Sequence, residues 1–123
     1  MIGVGTDILQ ISRIDEVLSR LDDRFVRRIL TQSEQQEYRD SGQPNRLLAK
    51  RFACKEAVAK ALGTGIGRGV SWQDIQIEHN SAGAPSVGLS GGALRVATEL
   101  GGSRVEVSLS DEADYVVAFA VLI

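Results

Sequence analysis

Glu56 and Lys60 stand four residues apart in RFACKEAVAKALGTGIGRG, residues 51–69, a stretch whose other members are largely alanine and glycine. On a helical wheel, Leu48, Ala59, Phe52, Ala49, Ala53 and Ala57 form one apolar arc, with Glu56 and Lys60 near its middle and Lys50, Arg51 and Lys55 outside it. A solvated Glu–Lys pair at this spacing contributes only about 0.2–0.5 kcal/mol and needs no function. Within an apolar arc each ion loses its hydration, which a simple pair does not recover, so a further partner is expected; the alternative is a purely structural pair. A magnesium ion meets the requirement for Glu56, because Mg²⁺ takes one or two carboxylates and shares its other positions with waters and substrate phosphates. Asp7 is the candidate second carboxylate. It ends the apolar and glycine-rich run MIGVGTDI, where its alternative role is to cap the turn that follows. Lys60 then acts as a point charge toward phosphate.

The glycines at 63, 65, 67 and 69 match neither a phosphate-cradling G-x-x-x-x-G-K-[ST] loop nor a G-x-G-x-x-G dinucleotide loop, and they follow a helix instead of opening one. From Arg46 to Arg68 the chain carries six basic residues against one acid, although its net charge is −2. A basic segment in an acidic protein suggests a bound anion. The overall charge and the six aromatic residues, which do not interleave with the bases, argue against nucleic acid. At 123 residues one domain is expected, spanning 1–123. The single cysteine, Cys54, suits a small apolar position within a helix. No basic-then-apolar leader and no run of about 18 apolar residues is present, so a cytoplasmic protein without a membrane span is expected.

The elements that position these residues follow from periodicity. MIGVGTDI reads as a strand ending at Asp7, and Ser12 as the N-cap of a helix carrying Ile14, Val17, Leu18 and Leu21. TQSE at 31–34 is a capping box opening a helix over 32–39. Pro44 and Asn45 precede a long helix over 46–62 capped by Gly63. WQDIQIEH alternates as a half-buried strand with Ile75, Ile77 and His79 on one side; His79 is read as structural. NSAGAP is a turn, SVGL a short strand, and Ser90 caps a helix bearing Leu94, Ala97 and Leu100 that stops at Gly101–Gly102. SRVEVSLS and YVVAFAVLI form an antiparallel hairpin around residues 111–114. The fold class is α+β. The last strand is apolar at nearly every position and needs cover on both faces, from a second subunit or from within the monomer.

GTDILQISRI near the start and RFACKEAVAKALGTGI in the middle, followed by WQDIQI and the closing hairpin, resemble the holo-(acyl-carrier-protein) synthase family of 4′-phosphopantetheinyl transferases. The resemblance implies a small antiparallel sheet packed with a long central helix, and a homotrimer with active sites between subunits. It implies transfer of 4′-phosphopantetheine from coenzyme A to a serine of acyl carrier protein, release of adenosine 3′,5′-bisphosphate, Mg²⁺ dependence and a place in fatty acid biosynthesis. Its metal carboxylates fall on Asp7 and Glu56, and its catalytic lysine on Lys60. Arg51 and the loop of Gly63, Thr64, Gly65 and Gly67 match positions that contact coenzyme A. Glycine there strips side chains from a backbone that a nucleotide must approach closely; the alternative is a plain flexible linker. Many relatives carry a histidine after S-x-S of the penultimate strand, where SLSDE here places Asp111. The serine proton then passes to a metal-bound water or to Glu56.

Acyl carrier proteins are acidic, so a basic docking face is expected. Arg13, Val17, Arg20 and Arg24 follow at helical spacing, with Phe25, Arg27 and Arg28 beyond; interspersed acids leave a solvated amphipathic helix as the alternative. A non-catalytic module binding coenzyme A or another polyphosphate is the alternative function, and a structural subunit whose last strand serves only assembly is a third.

Overall fold

The computed structural model describes all residues, Met1–Ile123. The chain runs β1 (Gly3–Gln10), α1 (Ile11–Leu21), α2 (Asp23–Ile29), α3 (Gln32–Asp40), α4 (Pro44–Ala61), a 3-10 turn (Trp72–Asp74), β2 (Ile75–His79), β3 (Pro85–Leu89), α5 (Gly91–Glu99), β4 (Val105–Asp111) and β5 (Tyr115–Leu122). The class is α+β. The strands form two antiparallel sheets, β1–β5–β4 and the hairpin β2–β3, where one small sheet was expected.

Local signals set most boundaries. Thr31 closes the capping box, its backbone N–H donating to Glu34 Oε1 while its hydroxyl accepts from the Glu34 N–H. Pro44 opens α4 at its first turn instead of preceding it, as its missing N–H permits. Gly63 takes the left-handed φ of +79° that ends α4. Three expectations are corrected. Gln10, not Ser12, is the N-cap of α1, because β1 continues three residues beyond Asp7 and feeds directly into the helix. WQD folds as a 3-10 turn, so β2 begins only at Ile75. Leu94 and Leu100 are about half exposed, while Ala97, expected beside them, is buried together with Ala93.

The period of two in β1 decides what faces α4. Gly3, Gly5, Asp7 and Leu9 share the inner face, opposite Leu122, Ala120, Ala118 and Val116 of β5. A methyl group on Gly5 would overlap the Ala57 carbonyl oxygen, and one on Gly3 that of Ala61. These glycines let the strand lie directly on the helix. Asp7 is therefore a mid-strand residue turned toward α4, not the end of a strand or a turn cap. The other face of this sheet is uncovered: Val4, Ile8, Tyr115, Val117 and Phe119 are each more than 40% exposed. The monomer thus covers β5 on its inner face only, and its outer face has no cover from within the chain.

α4 is enclosed by the three-stranded sheet on one side and by α1–α3 and β2 on the other. Buried residues occur all round it, Arg51 and Lys55 among them. The wheel placed those two outside the apolar arc. They are buried because the shorter helices wrap the side that the wheel leaves polar.

Candidate active site

Asp7 and Glu56 line one cavity of about 270 Å³, together with Arg13 and Phe25 and an apolar wall that includes Ile14 and Phe52. Burial, then the neighbouring charge of Asp7, raises the Glu56 pKa above the usual carboxylate range; Lys60 opposes the shift. Lys60 does not face inward beside Glu56 as the wheel suggests. Its side chain is 49% exposed at the cavity edge, where Nζ donates to the Thr6 carbonyl at 2.8 Å and to Asp7 Oδ1 at 3.2 Å. The physical reason is the strand: β1 presents a carbonyl and a carboxylate one turn of helix away from Glu56. The result is a cluster of two acids and one base, open to solvent and next to apolar surface.

The deep ion pair of the molecule is a different one. Lys55 and Glu34 are fully buried, with Lys55 Nζ 2.6 Å from Glu34 Oε1. Lys55 Nζ also donates to the Ile29 carbonyl at 2.7 Å and the Trp72 carbonyl at 3.2 Å. Glu34 Oε2 accepts from the Ile77 N–H at 2.7 Å. Burial depresses the Lys55 pKa while Glu34 opposes the shift. This network joins α2, α3, α4, the 3-10 turn and β2. It has no free donor or acceptor to offer a substrate, so its role is to hold α4 and its neighbours. The capping box was the one signal pointing to Glu34; its ion pair with a residue 21 positions away had none.

The remaining expected site residues lie elsewhere. Arg51 is buried, with Nη2 3.2 Å from Glu37 Oε2, and lines a second cavity with Arg46, Lys50 and His79. Sequence reasoning missed those three as a group, although the run of bases from Arg46 pointed to that region. Gly63, Gly65 and Gly67 adopt positive φ values of +79°, +63° and +118°, and a Cβ at any of them would meet nothing within 4 Å. The backbone conformation, not crowding by the protein, requires glycine there. Thr64 Oγ1 donates to the Gly65 carbonyl at 2.7 Å. Gly67 and Ile66 line a third cavity with Arg27, Arg28 and Trp72. The aromatic rings of Phe25, Phe52 and Trp72 connect the first and third cavities, with centroids 5.9 Å and 5.0 Å apart in succession.

The arginines do not lie on one continuous helix. α1 ends at Leu21, and Asp22 adopts φ +51° before α2 begins, so Arg13 and Arg20 sit on α1 while Arg24, Phe25 and Arg28 sit on α2. Arg13 reaches the carboxylate cavity and Arg28 the glycine-loop cavity. Cys54 is buried and its thiol is pushed up to about 12, in keeping with a packing role. His79 is exposed at the end of β2, not turned into the core with Ile75 and Ile77.

Residues 3–120 match the family model of the 4′-phosphopantetheinyl transferase superfamily. The holo-(acyl-carrier-protein) synthase of Shewanella amazonensis is 55% identical over 122 residues, covering 99% of this chain and 98% of that protein. Among solved structures, the holo-(acyl-carrier-protein) synthase of Neisseria meningitidis is 44% identical with a TM-score of 0.94, covering 100% of this chain and 99% of that one. The Helicobacter pylori synthase, crystallised in complex with coenzyme A, is 32% identical with a TM-score of 0.84, covering 98% of this chain and 99% of that one.

Proposed function

Because the chain belongs to the 4′-phosphopantetheinyl transferase superfamily and is an enzyme of the holo-(acyl-carrier-protein) synthase type, we propose the following reaction. The serine hydroxyl of apo acyl carrier protein attacks the phosphorus that carries the pantetheine arm of coenzyme A, and adenosine 3′,5′-bisphosphate leaves. The reaction is Mg²⁺-dependent, cytoplasmic, serves fatty acid biosynthesis and is carried by residues 1–123 as one transferase domain. The observation that carries this reading is the pair Asp7 and Glu56 in one cavity, with Lys60 bonded to Asp7 at its edge.

The donor set fits a hard divalent cation. Two carboxylates share a cavity, and the proton affinity of Glu56 is raised partly by Asp7, a repulsion that a cation relieves. No cluster of three or more His, Cys, Asp or Glu residues is present. A two-carboxylate site leaves most positions to water and substrate oxygens, which suits Mg²⁺ and not a structural zinc. Asp7 and Glu56 would hold the ion; what it supplies when bound is neutralisation of pyrophosphate charge as the anhydride bond breaks. Lys60 adds a positive charge at the same edge and steadies the Asp7 carboxylate. Glu56, a carboxylate lining this cavity, or a water held beside it receives the serine proton.

Arg51 and Glu56 line separate cavities with no residue in common. In this reading coenzyme A meets the Glu56 set on one copy of the chain and the Arg51 set on a neighbouring copy. The uncovered apolar face of β1 and β5 supports such an assembly, a homotrimer with active sites between subunits. Thr64 and the glycines at 63, 65 and 67 complete the donor contacts. Arg13, Arg20, Arg24, Phe25 and Arg28, carried on two helices beside the first and third cavities, form the docking face for the acidic carrier. No helix is long and apolar enough to cross a membrane.

The test is incubation with apo acyl carrier protein, coenzyme A and Mg²⁺, followed by mass spectrometry of the carrier. Mass increase by one phosphopantetheine group is expected, with none when Glu56→Gln replaces the wild type at equal helical content. Tight coenzyme A binding without carrier modification in the wild type would instead establish a binding module.

A further inference from the structure

The cavity that contains Arg51 lies where the first half of α4 meets the end of β2. It encloses about 220 Å³ and is lined by Arg46, Lys50, Arg51 and His79, with Ser41 and Gln43 at its rim. This is below the roughly 300 Å³ at which ordinary small-molecule pockets begin, so it suits one phosphate-sized group and not a whole nucleotide. Its charges are unequal. Arg46 Nη1 lies 3.0 Å from Asp111 Oδ2, Lys50 Nζ lies 3.9 Å from Asp111 Oδ1, and Arg51 is paired with Glu37. Three cations thus share two carboxylates, leaving excess positive charge before His79 is counted. Arg51 is 4% exposed and its Nε has no hydrogen-bond partner.

His79 is the one histidine of the chain and stands at the last position of β2. Its strand partner, Pro85, carries no charge. The charged groups around it come from three other elements: Arg46, Lys50 and Arg51 on α4, Glu37 on α3 through Arg51, and Asp111 on β4 through Arg46 and Lys50. Histidine is the side chain whose charge ordinarily changes between about pH 5 and 8. We propose that His79 is a pH-dependent binding residue of this cavity, its imidazolium joining Arg46, Lys50 and Arg51 around a tetrahedral oxyanion. In the transferase reading that oxyanion is a phosphate monoester of the donor. This identification rests on that reading, whereas the binding of an oxyanion does not.

Sulfate is the probe, because it does not titrate in this range and any pH dependence then belongs to the protein. One added charge beside the anion should make binding on the order of fivefold tighter at pH 5.5 than at pH 8, at constant ionic strength. By linkage, saturating sulfate should raise the midpoint of the imidazole Cε1–H resonance by about 0.7 pH unit, the same factor read from the other side. A single histidine makes that resonance unambiguous. In His79→Gln, an exposed position, the pH dependence should flatten while binding persists through the arginines. An unchanged imidazole midpoint, or the same pH dependence in His79→Gln, overturns the proposal. Transfer activity is measured in parallel: an unmoved midpoint with normal transfer removes the role of His79 alone, whereas a shifted midpoint without transfer leaves it standing and removes the donor assignment.

Discussion

Lys55 and Glu56 are adjacent in the chain and belong to opposite kinds of polar site. Lys55 is fully buried and its ammonium is saturated by a carboxylate and two carbonyls. Glu56 is partly buried, sits in a cavity with a second acid, and holds its proton more tightly than an ordinary carboxylate. The first arrangement satisfies every charge it buries and so fixes five elements in place. The second leaves like charges side by side at an opening, an arrangement with no structural benefit and a clear use for a substrate or ion. Burial alone does not separate the two. What separates them is whether the partners are already present.

The contrast can be broken most sharply at Glu56. Glu56→Gln should reduce transfer on the order of 10³-fold with the fold intact, as expected when a group acting on transition-state charge is removed. Carrier modification assayed by mass spectrometry measures this, and near-normal turnover would make the open site ornamental. On the saturated side the effect should appear in stability. Lys55→Met or Glu34→Gln alone leaves an uncompensated buried group and should cost about 3–5 kcal/mol, whereas the double substitution should cost less than either added to the other. Denaturant unfolding of the four proteins reads this cycle; strict additivity would mean that the two residues do not act as a unit.

Smaller effects sharpen the same division. Mg²⁺ should raise the Tm of the wild type by mass action, and fail to do so in Asp7→Asn or Glu56→Gln. A calorimetric scan with and without the ion decides it, and an equal response in all three proteins would remove these carboxylates as the ion's holders. The smallest effect is on pH. Since the folded state binds a proton at Glu56 more tightly than the unfolded chain does, stability from this group is present at low pH and lost as pH rises through its raised value. Glu56→Gln should therefore be slightly more stable than the wild type at pH 8 and show no advantage at pH 4. Activity that requires the ionised carboxylate should run the other way, falling as pH drops.

Much of this was legible in the chain. The capping box at Thr31, the left-handed Gly63 and the closing hairpin depend on neighbours within a few residues, and each forms as its sequence predicts. The pairing of Asp7 with the region of Glu56 followed from asking where a second acid would be out of place. The rest depends on contacts that no local pattern encodes. Lys55 looked solvent-facing because its partner Glu34 comes from another helix. α2 is seven residues long and begins at an abrupt left-handed Asp22, so its periodicity is too brief to stand out from α1. Leu94 on α5 and Leu100 just after it are half exposed, because Ala93 and Ala97 form the buried side of that helix. His79 meets the α4 bases only because β2 ends beside them.

The bare apolar surface of β1 and β5 carries a consequence for how the enzyme responds to its own abundance. If neighbouring copies must meet to complete each catalytic centre, turnover per polypeptide will depend steeply on enzyme concentration and fade on dilution. A separated copy would also present Val4, Ile8, Val117 and Phe119 to water beside unpaired sheet edges, an invitation to precipitate. Loss of catalysis and loss of solubility would then share a single threshold.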